Sequence, residues 1–160
     1  MKPRLLEVAI KIFLGVFELF FVGYVCSLRL EGIGWMLIFF SIGLLFWILV
    51  HLAIMTPFIM TLRVSIIDIS LYLAVHIFYL LAWLFQMDMG DSGQAYWAVQ
   101  RAFDLPALDP FIKQWADTIF WDALTGTLVC YFLIMILLIV KLVMFIRSRK
   151  KAAPAPVIAA

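Results

Sequence analysis

Glu18 and His76 offer the most chemistry in this chain, because each stands in the middle of a long apolar run. An ionisable side chain at the centre of a membrane helix costs about 2.5–3.5 kcal/mol on insertion scales, so it normally has a partner or a task. At about 1.5 Å of rise per residue, both lie roughly 15–18 Å from the inner end of their runs, near the middle of a bilayer. A carboxylate and an imidazole at one height can bond each other, and they can pass a proton between them. Glu7, Lys11 and Glu18 are spaced by four and seven and share a face of the first run, with Gly15 between them. Asp68, Tyr72, His76, Tyr79 and Trp83 step by four, four, three and four, which makes one polar-aromatic stripe on the third run. The two stripes are expected to face each other, Glu18 bonding His76 and either Tyr72 or Tyr79. A static polar clamp that holds the helices in register is the plainer function for such a pair. A proton or ion path along the stripe is the sharper one.

A second set of ionisable residues lies nearer the inner boundary. Lys11 is roughly 5 Å from it, and His51, Asp68 and Lys141 roughly 6–8 Å, each counted along its own helix. The two lysines can snorkel to the interface, and a structural role is expected for the ring as a whole. His51 and His76 together invite a haem. Two imidazoles must reach one iron at one height, and these counts put them roughly 10 Å apart. Intramembrane hydrolysis needs a serine with histidine, a paired aspartate or an H-E-x-x-H, and Ser41, Ser65 and Ser70 have no such context. Cys26 and Cys130 sit in apolar runs, with no CxxC and no Cys/His cluster at metal-ligand spacing, and read as small buried hydrophobes. No catalytic residue, metal or cofactor is expected.

The elements that would position these residues follow from composition. The chain has 160 residues, 67% hydrophobic and 14% charged, against about 45–50% and about 25% in a soluble domain. So few charges cannot coat a water-soluble fold, and a net charge of +2 is far too small for a nucleic-acid-binding patch. Lipid is the expected solvent. Four apolar segments are long enough to cross it as helices, from about Val8 to Leu28, Gly34 to Met55 (stopped by Thr56-Pro57), Val64 to Phe85 and Ala123 to Ile146. The first is read as a retained span and not a cleaved signal, since it carries Lys11 and Glu18 and no A-x-A site follows. With the termini inside, the inner ends hold Lys2, Arg4, Lys11, Arg63, Lys141, Arg147, Arg149, Lys150 and Lys151, against Arg29, Arg101 and Lys113 outside. That bias makes both termini cytoplasmic, in the inner (plasma) membrane of a bacterium. Residues 152–160 form an Ala/Pro-rich flexible tail.

The outer segment 86–122 has six aspartates against Arg101 and Lys113. Residues 87–93 read as a turn, with Asp91 or Ser92 capping a short helix that runs through Phe103 and presents Tyr96, Val99 and Phe103 on one face. Asp109-Pro110 reads as a second helix start, and Trp97, Trp115 and Trp121 as interfacial or partner-facing aromatics. Gly15, Gly23 and Ser70-x-x-x-Ala74 are the close-packing cues. The expected fold is an all-α four-span membrane bundle capped outside by short amphipathic helices. The expected function is a non-catalytic membrane subunit or assembly factor, in contact with lipid and with other membrane proteins or copies of itself. The alternative is a small transporter or channel subunit that uses the Glu18/His76 stripe.

Overall fold

The computed structural model of the chain describes residues 3–30, 37–62, 65–89, 95–103 and 106–152. Four long helices dominate it: α1 (Pro3–Leu30), α2 (Leu37–Thr61), α3 (Ile66–Leu84) and α5 (Asp109–Ala152). Between α3 and α5 lie two three-residue strands, β1 (Met87–Met89) and β2 (Ala95–Trp97), the short helix α4 (Ala98–Phe103) and a 3₁₀ turn at Pro106–Leu108. Among the described residues two stretches are long and apolar enough to cross a membrane, Ile66–Leu84 and Pro106–Arg149. The described apolar part of α2 runs over Leu45–Thr61 and is shorter than that measure. α1, with Glu7, Lys11 and Glu18 along it, does not pass either.

Local chemistry explains where the helices begin and end. The Ser65 hydroxyl accepts from the Asp68 backbone N–H at 3.2 Å, so Ser65 caps α3 with an acid in its first turn. α2 does not stop at Thr56-Pro57 but runs through Pro57 to Thr61. A proline removes one N–H, and in a packed apolar setting the rest of the helix can outweigh that loss. Asp109 and Pro110 do start a helix, in agreement with their cap and first-turn preferences. That helix is not a separate amphipathic piece. No proline follows within it, so it continues without a break for 44 residues and includes the fourth apolar run.

The outer segment departs from the sequence reading in two further ways. Met87–Met89 form a strand, pairing antiparallel with Ala95–Trp97 in the register Met87↔Trp97 and Asp88↔Tyr96. The short helix consequently starts at Ala98, after Tyr96; within it Val99 is buried and Phe103 exposed, so these two do not share a face. Its start is held by Gln100, whose Oε1 accepts from the Trp97 N–H (3.1 Å) and whose Nε2 donates to Asp109 at the head of α5 (2.9 Å). The proposed caps Asp91 and Ser92, the turn glycines Gly90 and Gly93, and tail residues 153–160 lie outside the described residues.

The main core gathers residues from all four long helices, with Val25, Met55, Phe58, Val75, Tyr79 and Ile134 completely buried. A smaller apolar cluster of Leu84, Val99, Ile112 and Ala116 seats the outer segment on the ends of α3 and α5. α3 and α5 make the most extensive contact in the fold. The reason is a seam on α5, where Ile112, Ala116, Ala123, Thr127, Cys130 and Ile134 are buried at spacings of three, four and seven. Its small members allow close approach. The closest approach is at Gly126, where a Cβ would come within 2.8 Å of the Phe78 ring. Gly15 and Gly23, the glycines singled out from sequence, would meet nothing within 4 Å and are not packing points.

Candidate functional site

Two polar layers cross the core. The deeper one is built on Glu18 of α1, which is 3% exposed. One carboxylate oxygen, Oε2, lies 2.8 Å from His76 Nε2, and the other, Oε1, lies 2.6 Å from His51 Nε2. Each imidazole is held at its other nitrogen: His76 Nδ1 is 2.6 Å from the Tyr72 carbonyl, and His51 Nδ1 is 2.6 Å from the Tyr131 hydroxyl. A carbonyl only accepts, so His76 Nδ1 carries a proton and donates it to Tyr72. Aromatic rings wall the cluster. Phe21 meets His76 edge-on at 4.6 Å between centroids, Tyr72 lies 4.2 Å from His76, and Tyr79 lies 4.2 Å from His51.

The juxtaposition of Glu18 and His76 agrees with their matched depth, but the company they keep does not. Neither tyrosine hydroxyl bonds Glu18. The Tyr72 hydroxyl donates to the Leu14 carbonyl at 3.4 Å, and Tyr79 contributes its ring, stacked on Trp47. The second partner of Glu18 is His51, which the sequence reading put about 10 Å away at the inner boundary. That depth was counted from a span end at Met55. Because α2 continues to Thr61, His51 stands ten residues from its inner end, as His76 stands ten residues from Ile66. At about 1.5 Å per residue both stand about 15 Å from those helix ends. The objection to a shared haem on grounds of height therefore falls. Another takes its place: the imidazole planes are at 84° with centroids 5.7 Å apart, and the Glu18 carboxylate touches both, so no flat slot separates them.

The shallower layer lies eight to ten residues towards the inner end of each helix. Lys141 Nζ of α5 donates to Asp68 Oδ2 of α3 at 2.8 Å and to the Thr61 carbonyl of α2 at 3.1 Å, over the Phe58 ring. Asp68 thus belongs to Lys141 and not to the Glu18 cluster, although Asp68, Tyr72, His76, Tyr79 and Trp83 are all buried on one side of α3. Lys11 forms a half-exposed pair with Glu7 at 2.7 Å within α1.

The three tryptophans part company. Trp97 is half-buried against the outer apolar cluster, whereas Trp115 and Trp121 are exposed at the start of α5. Tyr131, Thr127 and Gly126 had no place in the sequence reading. A tyrosine in an apolar run carries no depth signal of its own, and the spacing of small buried residues on α5 was the only cue to that face.

Comparison with protein-family models, curated proteins and solved structures finds no match. The cluster's own chemistry has to carry the interpretation. A carboxylate between two imidazoles can clamp three helices, store and exchange a proton, or offer three lone pairs to a cation.

Proposed function

We propose that the chain is a four-span integral membrane protein with cytoplasmic termini, in a bacterial inner membrane. In this reading it acts as a non-catalytic subunit or assembly factor of a larger membrane complex of secretion, conjugation or respiratory type. The supporting observation is the inward matching of the deep charges: Glu18 with His51 and His76, Asp68 with Lys141. Such pairs cost desolvation and give the helices a fixed mutual register. That suits a structural member better than a carrier that must open a path. The outer end of α5 offers a surface for a partner, where Phe111, Trp115 and Trp121 remain exposed within the acidic segment 86–122.

Purification of the full chain in mild detergent, with mass spectrometry of what elutes with it, tests this. A stoichiometric set of other membrane proteins, cross-linked through photoreactive groups at Trp115 or Trp121, is the expected result. A clean homo-oligomer with no companion would sink it. A small transporter or channel subunit is the second reading, favoured by the mid-depth position of a titratable cluster contributed by three helices. It requires a pH-dependent ion flux in liposomes that Glu18→Gln abolishes while the protein stays folded.

A further inference from the structure

We propose that Glu18, His51 and His76 form a binding site for one divalent transition-metal ion of the zinc or iron(II) class. Their donor atoms come from three different helices and all lie within 4.8 Å of one another. This is why no local ligand spacing marks them in the sequence. At tetrahedral angles bonds of about 2.0–2.2 Å put ligand atoms about 3.3–3.6 Å apart, so on binding the widest pair closes by about 1.2–1.5 Å and the 2.6 and 2.8 Å contacts of Glu18 open. Two imidazoles and a carboxylate suit zinc, iron, copper or nickel, whereas calcium and magnesium take oxygen donors.

The hydrogen-bond inventory favours a cation at this place. With Nδ1 of His76 donating to the Tyr72 carbonyl, its Nε2 turns a lone pair on Glu18 Oε2 at 2.8 Å unless a positive particle lies between them. A second proton would serve there, and so would a metal ion. In the other half of the cluster His51 Nε2 and Glu18 Oε1 are 2.6 Å apart and fully buried, and a shared proton or a metal ion can hold this pair too. The outer nitrogens favour the metal, since ligand histidines characteristically have their other ring nitrogen fixed by a hydrogen-bond partner. Both do here, through Tyr72 and Tyr131.

Full-length protein, purified in detergent and stripped with a chelator, is titrated with Co²⁺ as a spectroscopic probe, and then with Zn²⁺ in competition. The expected result is one Co²⁺ per chain, displaced by Zn²⁺. Tyr131→Phe should weaken binding about 10–100-fold while leaving one site per chain, the range found for outer-partner losses. His51→Gln together with His76→Gln should abolish it. Lys113→Met, on the exposed face of α5 and away from the cluster, should leave it unchanged. Absence of Co²⁺ binding at micromolar concentration in the unaltered chain overturns the proposal, as does undiminished binding in the double histidine variant. If that variant does not fold, pulsed electron paramagnetic resonance of the unaltered chain loaded with Cu²⁺ decides. Two coupled imidazole nitrogens support the site, and one or none refutes it.

Discussion

Removing the ammonium of Lys141 would take a 2.8 Å ion pair away from the Asp68 carboxylate, which is 3% exposed. The cost of breaking such a pair from one side is about 3–5 kcal/mol, whereas replacing both members with apolar residues of similar size is often neutral. Lys141→Met should therefore lower the thermal midpoint in detergent markedly, and Asp68→Leu combined with Lys141→Met should recover most of the loss. Equal destabilisation by the single and the double variant would mean that the pair carries no coupling. Sequence reasoning reached Glu18, His76, Asp68 and Lys141 because a charge inside an apolar run stands out by its cost. It reached the pairing of Glu18 with His76 but not that of Glu18 with His51 or of Asp68 with Lys141. Asp68 shares a stripe with His76, and only the arrival of α5 beside Thr61 determines that it meets Lys141 instead. His51 was misplaced for a different reason: its depth depended on where α2 ends, and the water-based rule that proline stops a helix gave the wrong end.

The contact of α3 with α5 includes one point where a side chain has no room. A Cβ at Gly126 would lie 2.8 Å from the Phe78 ring, so Gly126→Ala should destabilise by about 1–3 kcal/mol, the usual cost of overpacking. Phe78→Leu in the same chain should restore part of that. Gly15→Ala and Gly23→Ala meet open space, and by helix propensity alone they should be neutral or stabilising by up to about 1 kcal/mol. Thermal denaturation followed by size-exclusion chromatography distinguishes the two outcomes, and a tolerated Gly126→Ala would contradict the tight seam. The long helices could be read from their apolar runs and caps, as the Ser65 start of α3 and the Asp109-Pro110 start of α5 illustrate. The strand pair could not. Three-residue strands carry too few side chains to set a period, and their pairing is a contact between positions six to ten apart.

For the molecule as a whole, the positively charged residues divide nine to three between the proposed inner and outer sides. Reporter fusions after Lys151 should accordingly be active in the cytoplasm, and a reporter inserted after Phe103 should be active only on the far side. Both reporters active on one side would break the four-span topology. The length of α5 has a mechanical consequence. At about 1.5 Å per residue its 44 residues extend about 66 Å, roughly twice the hydrocarbon thickness of about 30 Å. Lys141 fastens this rod to α2 and α3 near one end, and Phe111, Trp115 and Trp121 stand exposed towards the other. A tilt of about 10° about Lys141 would carry Asp109, about 48 Å away, through about 8 Å. Tyr131 rides on the same rod between those points, with its hydroxyl on His51. Any displacement of α5 that its seam with α3 permitted would therefore move the Tyr131 hydroxyl against the His51 imidazole.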